Sequence, residues 1–121
     1  MGKIYLKGIK IYAFHGCLKE EKTIGGYYII NLMVKSNLEK SSKSDNLNDT
    51  IDYSSLYNIV EKEMKIKSSL LENVVDRIIN KIFNSFDSVS KTIVEVSKIN
   101  PPINGDIQQV SVERKRKRSL K

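Results

Sequence analysis

Residues 97–106 read Ser-Lys-Ile-Asn-Pro-Pro-Ile-Asn-Gly-Asp, and the rest of the chain is organised around them. This stretch holds both prolines of the protein, side by side. Because proline lacks an N–H donor and fixes φ, the pair cannot lie inside a helix or a paired strand. Gly105 adds a position where a positive φ costs little. The stretch therefore predicts a stiff loop.

A short strand is predicted immediately before this loop. Residues 93–98 are rich in β-branched side chains and alternate apolar and polar residues from Val94. Lys98 shares the parity of Val94 and Val96, so it points towards the apolar face where the strand ends. An ammonium group there is costly unless it lines a cleft or meets a partner, although a lysine can also extend to the rim. The pattern alone leaves both interpretations of Lys98 open.

The length and composition are those of one ordinary globular domain. The chain has 121 residues, of which 40% are hydrophobic and 29% are charged. No apolar run approaches the ~20 residues that cross a membrane, and the first residues lack the core of a signal peptide. Cys17 is the only cysteine, so no internal disulfide can form. These features predict a cytoplasmic protein.

The net charge of +7 is concentrated at the end of the chain. Residues 114–121 contain six basic residues and no acidic one, which leaves +1 for residues 1–113. A nucleic-acid surface usually spreads its cations among aromatic side chains, and this segment has none. The pattern favours a solvated basic tail over residues 115–121, expected to be disordered. A small nucleic-acid-binding protein that uses this tail remains an alternative.

Alternating apolar residues predict two long strands near the N-terminus. The first runs from Ile4 to Tyr12, with a change of parity at Gly8 that predicts a bulge. The second covers about ten residues from Tyr28. A loop joins the two strands, which makes an antiparallel pair.

Helical periodicity predicts two helices in the middle of the chain. The first covers about residues 54–67, with Asp52 or Ser54 as its cap. The second follows Ser69, whose spacing to Glu72 is that of a capping box. Apolar residues recur at helical spacing from Leu71 to Phe86. The fourth strand contains Val110 and Val112 and leads into the basic tail.

The element order β-β-α-α-β-β predicts an α+β domain over residues 1–114. Its four-stranded antiparallel sheet has two helices packed on one face. The other face mixes Ile29 and Met33 with Asn31 and Lys35. A sheet with one mixed face and free edges often takes part in oligomers.

Several short motifs occur along the chain in a fixed order. They are Gly8-Ile9 with Phe14-His15-Gly16, Glu20-Glu21 followed by Ile24-Gly25, Asp45 to Thr50 with Ile51-Asp52-Tyr53, Leu70-Leu71-Glu72, and Lys98 to Gly105. None is specific alone. In this order and spacing over residues 4–114, they resemble dihydroneopterin aldolase, a family with the tunnelling fold.

The resemblance implies a lyase of folate biosynthesis. Such an enzyme cleaves 7,8-dihydroneopterin into 6-hydroxymethyl-7,8-dihydropterin and glycolaldehyde, and commonly also epimerises C2′ to give dihydromonapterin. In this retro-aldol reaction the C6=N5 imine of the pterin accepts the electrons, which implies no metal, no lysine Schiff base and no other cofactor. The resemblance also implies a homo-oligomer, a tetramer or octamer, with sites between subunits and no membrane partner.

Matched position by position, the resemblance implies three catalytic residues. Lys98 is the general acid and base. Tyr53 protonates the enamine and reaches the pterin from a neighbouring subunit. Glu21 lies near the side chain of the substrate, with Glu20 as the adjacent alternative. Without the resemblance, Tyr53 is an ordinary half-buried residue at a helix start and Glu21 a solvated loop charge.

Substrate binding is implied for Glu72, Leu71 and Ile51, together with Glu21 and Tyr53. The Glu72 carboxylate accepts two hydrogen bonds from the 2-amino and N3 groups of the ring. Leu71 and Ile51 supply backbone hydrogen bonds. Glu72 also fits the third position of the capping box, and the two roles compete.

Two further observations bear on alternative functions. His15 and Cys17 are the only histidine and cysteine, so one chain cannot build the zinc site of other enzymes with this fold. His15 is then a general base or, more simply, a residue that ends the first strand. Dihydroneopterin triphosphate epimerase is the alternative enzyme, and its substrate would need additional basic residues around the pocket.

Overall fold

A computed structural model describes residues 1–119, apart from the side chain of Lys22. Its centre is one antiparallel sheet with the strand order β1-β2-β3-β4. The strands are β1 (Gly2–Ala13), β2 (Gly26–Ser36), β3 (Lys91–Ile99) and β4 (Gln109–Lys117). The predicted four-stranded sheet is confirmed.

Four helices and one 3₁₀ turn connect the strands. The short ones are α1 (Lys19–Thr23), α2 (Glu39–Ser44) and the turn Leu47–Asp49, and the long ones are α3 (Tyr53–Met64) and α4 (Leu71–Ser85). The apolar stripes of α3 and α4 are buried in one core with the inward side chains of the sheet. The predicted order of long elements is confirmed. No helix in residues 1–119 has the length and apolar content to cross a membrane.

The start of α3 agrees with its sequence, whereas its end does not. The side chain of Asp52 accepts a hydrogen bond from Ser54 N at 2.9 Å, as an N-cap should. The helix ends at Met64, three residues before the predicted end. No glycine or proline marks this end. The guanidinium of Arg77 donates hydrogen bonds to the carbonyls of Glu63 and Ile66, each at 2.9 Å. A tertiary contact therefore ends the helix.

The capping box predicted for α4 is wrong. Leu70 is the N-cap of this helix, and no side-chain hydrogen bond caps it. Glu72 is consequently the second residue of the helix rather than the third, and its carboxylate is not used in a box.

The bulge predicted in β1 is confirmed at Gly8. The pairing with β2 shifts between Leu6 and Ile9, and Gly8 has a φ of +72°. The Gly8 N–H donates to Asn31 Oδ1 at 2.7 Å. After the bulge Ile9 and Ala13 face the core, and the same parity brings His15 to a buried position.

The disordered tail expected over residues 115–121 is wrong for residues 115–118. β4 continues to Lys117. Its arginine side chains, two residues apart, lie on the face of the sheet that packs against the helices. Arg114 and Arg116 pair with Asp76 of α4. Arg118 donates to the carbonyl of Phe83 in the last turn of α4 and to those of Phe86 and Val89 just beyond it. The last two residues, 120 and 121, lie outside the described part of the chain.

The loop predicted around the two prolines is confirmed. β3 ends at Ile99, and Asn100 has a φ of +50°. Its N–H donates to Gln108 O at 2.9 Å, which closes the base of the loop before β4 begins. This loop, the start of α4 and the α1 segment meet at one end of the sheet.

Candidate active site

A cleft of about 370 Å³ lies where these three segments meet. Its lining includes Glu21, Leu71, Glu72, Lys98 and Pro102. A second cleft of about 180 Å³ shares Glu21, Lys98 and Pro102, so the two clefts adjoin at these residues. The structure therefore brings four of the residues implied by the resemblance to one place: Glu21, Leu71, Glu72 and Lys98.

Lys98 and Glu21 form an ion pair at the base of the cleft. Lys98 Nζ donates to Glu21 Oε2, and only 16% and 14% of the two side chains are exposed. The Leu18 N–H also donates to Glu21 Oε1, at 3.3 Å. Lys98 thus meets a partner rather than extending to the rim, and Glu21 is held from two sides.

Gly16 gives the Glu21 carboxylate its space. A Cβ built on Gly16 would lie 2.1 Å from Glu21 Oε1, well inside any tolerated contact. Gly16 also has a φ of +143°, which side-chain-bearing residues rarely adopt. The glycine in the loop between β1 and α1 is therefore a requirement of the ion pair.

His15 and Tyr28 form a buried layer beside the ion pair. Tyr28 Oη donates to His15 O at 2.8 Å, and Lys98 Nζ lies 6.0 Å from the centroid of the Tyr28 ring. Burial raises the pKa of Tyr28, the hydrogen bond that the His15 N–H donates to Tyr28 Oη at 3.1 Å opposes this shift, and the charge of Glu21 adds to it. Tyr28 is therefore a neutral phenol near pH 7.

His15 is fully buried and neutral near pH 7. Its pKa is lowered from 6.5 to about 4, chiefly by burial and next by the charge of Arg77. The backbone of Met64 opposes this shift, and the charge of Lys98 adds to it. His15 Nδ1 accepts a hydrogen bond from Ser68 N at 3.1 Å, which assigns the proton of the neutral ring to Nε2. Nε2 has no hydrogen-bond partner of ordinary geometry among the described residues.

Arg77 fixes the segment that leads into the cleft wall. Besides the carbonyls of Glu63 and Ile66, its guanidinium reaches Ser68 Oγ at 2.7 Å and Glu63 Oε1 at 3.0 Å. Gly16 N adds a hydrogen bond to Ser68 O at 2.9 Å. The turn between α3 and α4 is thus tied to the loop that holds Glu21.

Glu72 and Leu71 present free hydrogen-bonding groups to the cleft. Leu71 is the first residue of α4, so its N–H has no acceptor within the helix. In the described part of the chain, the Glu72 carboxylate forms neither an ion pair nor a side-chain hydrogen bond, and it is exposed.

Tyr53 and Ile51 are not brought to the cleft within one protomer. Tyr53 opens α3 with 68% of its surface exposed, more than the half-buried position expected from sequence alone. Ile51 is buried in the core. Neither residue lines the two clefts around Lys98.

Sequence reasoning missed three residues that shape this site. Gly16 belongs to a short motif of the resemblance without a role of its own, Tyr28 is one of several alternating apolar residues of the second strand, and no pattern singles out Arg77. A histidine-glycine pair after a strand is a weak signal for a close approach. No sequence signal identifies Tyr28 or Arg77, because most of their hydrogen-bond partners lie outside their own elements and are backbone atoms.

Comparison with known proteins gives a consistent picture. The profile of the family described as FolB, dihydroneopterin aldolase, matches residues 4–115. The chain is 34% identical over 119 residues to the dihydroneopterin aldolase of Streptococcus pyogenes serotype M1, covering 98% of this chain and 100% of that protein. It is 32% identical over 120 residues to the Bacillus subtilis (strain 168) enzyme of that name, with the same coverage.

A solved structure shares the fold. The crystal structure of Escherichia coli dihydroneopterin aldolase in complex with neopterin superposes with a TM-score of 0.88. The superposition covers 96% of this chain and 99% of that one, at 18% sequence identity. At that identity the likeness concerns the fold alone.

Proposed function

Because the chain belongs to the dihydroneopterin aldolase family, we propose that the cleft around Lys98, Glu21 and Glu72 is its active site. The chain is an aldehyde-lyase of folate biosynthesis, whose reaction converts 7,8-dihydroneopterin into 6-hydroxymethyl-7,8-dihydropterin and glycolaldehyde. One observation carries the assignment of the site: Lys98 and Glu21 lie 77 positions apart in sequence and form a secluded ion pair in the cleft that Glu72 also lines.

Glu72 and Leu71 are the groups that bind the pterin ring. The ring offers its 2-amino and N3 hydrogens side by side, and the uncommitted Glu72 carboxylate can accept both. The free N–H of Leu71 at the start of α4 can donate to the same ring. The failure of the capping box removes the competing use of Glu72, which strengthens this proposal.

Lys98 moves protons during bond cleavage. Loss of the C2′ hydroxyl proton lets the C1′–C2′ bond break, which leaves glycolaldehyde with a carbonyl group. The bonding electrons pass to C6=N5 of the pterin and form an enamine. A lysine ammonium held by Glu21 can supply and recover protons at these atoms without a large rearrangement.

Tyr53 and Ile51 are proposed to act on the cleft of a neighbouring subunit. Tyr53 is exposed at the start of α3, as expected of a side chain that another subunit covers. β1 and β4 are the two free edges of the sheet, through which copies of the chain can pair. We therefore propose a homo-oligomer, a tetramer or octamer, in which Tyr53 protonates the enamine. We also expect the enzyme to act in the cytoplasm.

The cleft favours dihydroneopterin over its triphosphate. Lys98 is the only basic side chain among the described residues that line the two clefts, and Glu21 already neutralises it. A triphosphate would need further cations. Epimerisation at C2′ is proposed as a side reaction, because re-addition of the aldehyde to the same enamine gives the epimer.

Chromatography of the pterins formed from 7,8-dihydroneopterin tests the proposal. We expect the wild type to release 6-hydroxymethyl-7,8-dihydropterin and Lys98→Ala to be slower by roughly 10²–10⁴-fold, the range of general acid–base catalysis. Lys62→Ala, on the solvent side of α3, is the control and keeps full activity. Unchanged cleavage in Lys98→Ala would overturn the assignment of the site.

A further inference from the structure

Four lysines lie side by side on the sheet face away from α3 and α4, here called the open face. In the strand register Lys3 pairs with Lys35, Lys35 with Lys91, and Lys91 with Lys117. Residues directly opposite in an antiparallel sheet share a face, with Cβ atoms about 5 Å apart. The four side chains thus form a line roughly 14 Å long across the sheet, the lysine row.

The lysine row lacks compensating charge. None of its four members forms an ion pair with any of residues 1–119. β1 and β2 contain no acidic residue, and Glu95 and Glu113 stand four residues further along β3 and β4. Since like charges placed directly opposite destabilise a sheet, the row weakens the isolated fold.

The electrostatics of Lys91 reflect this crowding. Its pKa is held below the ordinary value, first by partial desolvation and then by four neighbouring ammonium groups, those of Lys115, Lys117, Lys3 and Lys35. An anion bound along the row would relieve this repulsion.

Protection of sheet edges does not explain the row. Lysines on edge strands commonly prevent unwanted pairing, which would account for Lys3 on β1 and Lys117 on β4. Lys35 and Lys91 belong to the central strands β2 and β3, where no edge needs protection.

A cleft of about 330 Å³ lies on the same face beside the row. Its apolar side chains, Tyr5, Met33 and Ile93, form a band one step along the strands from the lysines. Beyond this band lies Glu95, whose Oε1 accepts from Asn31 Nδ2 at 3.0 Å. The face thus presents the lysine row, then an apolar strip that Lys115 continues on β4, and then the carboxylates of Glu95 and Glu113, with Lys7 also lining the cleft.

We propose that the open face binds an organic oligophosphate, with its phosphates on the lysine row and a planar ring in the adjacent cleft. Glu95 would accept hydrogen bonds from ring N–H groups, and Tyr5, Met33 and Ile93 would contact the ring. The roughly 14 Å between the lysines and Glu95 is comparable to an extended nucleoside triphosphate. Lys98 has the opposite parity on β3, so this site is separate from the lyase cleft.

Calorimetric titration of the full-length protein with GTP, inorganic tripolyphosphate and guanosine tests the proposal. Saturating neopterin is present to fill the lyase cleft, and divalent cations are absent. We expect GTP to bind best, tripolyphosphate more weakly, and guanosine weakest. Lys35→Thr/Lys91→Thr should weaken GTP binding at least about tenfold, because it removes the two central charges. It should also raise the unfolding temperature, since repulsion is relieved.

Three variants distinguish GTP binding on the open face from a general effect of net charge and from binding in the lyase cleft. Lys62→Ser/Lys81→Ser removes the same charge from α3 and α4 and should leave GTP binding unchanged. Lys98→Ala should also leave it unchanged, whatever its effect on cleavage. Glu95→Gln should weaken GTP binding and leave tripolyphosphate binding unaltered.

Five outcomes would overturn the proposal. GTP binding could be absent, or could fall equally in the helix-lysine variant. It could depend on Lys98, which would place GTP in the lyase cleft. A short oligothymidylate could bind more tightly than GTP with the same dependence on Lys35 and Lys91, which would assign the face to nucleic acid. The lysine-row variant could instead change only the oligomeric state, which would mean that a second copy covers the face.

Discussion

At the scale of single residues, Gly16 tests whether the position of the Glu21 carboxylate matters for catalysis. In Gly16→Ala the new methyl group would overlap Glu21 Oε1 and would demand an unfavourable φ. We expect the Lys98–Glu21 pair to separate and kcat for cleavage to fall by roughly a hundredfold, the cost of a displacement of about 1 Å in an active site. Steady-state kinetics on folded protein provide the measurement.

Gly105→Ala is the matched control for this substitution. A Cβ at Gly105 meets nothing within 4 Å and requires no positive φ. It should leave kcat unchanged. Equal kcat values for both variants would show that the pair tolerates displacement.

His15 should make stability depend on pH. Its folded-state pKa of about 4 lies below its ordinary 6.5, so between these values the unfolded chain binds the proton more readily. Stability from the neutral ring is complete above pH 6.5 and falls as the pH drops towards 4. By pH 5 the loss amounts to about 2 kcal/mol of unfolding free energy.

Urea unfolding at pH 7 and pH 5 measures this loss. His15→Asn keeps an acceptor for the Ser68 N–H but cannot titrate, so it is the reference. The wild type should lose about 2 kcal/mol more than the variant between the two pH values, at equal protein concentration. The same loss in both proteins would exclude His15 as the titrating group.

At the scale of elements, Arg77 connects the end of α3 to the wall of the proposed active-site cleft. Arg77→Met removes the donor to the Ile66 carbonyl and one of the donors to the Glu63 carbonyl, which keeps the Ile66 N–H, and this should cost about 1–3 kcal/mol of unfolding free energy. Because the loosened turn leads directly into Leu71 and Glu72 at the start of α4, KM should rise more than kcat falls. Chemical denaturation and steady-state kinetics measure both effects.

Arg114→Met is the control for Arg77→Met, since it applies the same change to an exposed ion pair. Arg114 lies 3.5 Å from Asp76, with half of its side chain exposed. It should cost less than about 0.5 kcal/mol and leave KM unchanged. A similar KM in the Arg77 and Arg114 variants would show that the turn is positioned by other contacts.

Sequence patterns were sufficient to predict some of the secondary-structure elements but not others. Alternation predicted β1, β2 and the parity of Lys98, and helical periodicity predicted α4. The extent of β4 could not be predicted, because a run of arginines and lysines resembles a solvated tail. Arg118 is ordered by carbonyls of residues 83, 86 and 89, and no local pattern reveals such partners. The Ser69–Glu72 spacing failed as a capping signal for a related reason, since the contacts of Ser68 with His15, Gly16 and Arg77 fix the preceding turn.

At the scale of the whole molecule, the site is proposed to need two subunits. Lys98→Ala and Tyr53→Phe should each be nearly inactive alone. When the two variants are unfolded together and refolded as mixed oligomers, about a quarter of the sites should combine an intact Lys98 with an intact Tyr53. The cleavage rate of the mixture reports these sites. No recovery in mixed oligomers of wild-type size would place Tyr53 outside the shared site.

The central claim is that Glu72 binds the pterin and that Lys98 transfers protons. Measuring binding and turnover in the same variants tests this claim directly. Neopterin binding and 7,8-dihydroneopterin turnover are measured for the wild type, Glu72→Gln and Lys98→Ala. Glu72→Gln should weaken neopterin binding by roughly 10- to 100-fold, as expected for a lost charged hydrogen-bond pair. Lys98→Ala should bind neopterin within a few fold of the wild type yet lose turnover by at least roughly 10². Unaltered binding in Glu72→Gln together with full turnover in Lys98→Ala would contradict the assignment of this cleft.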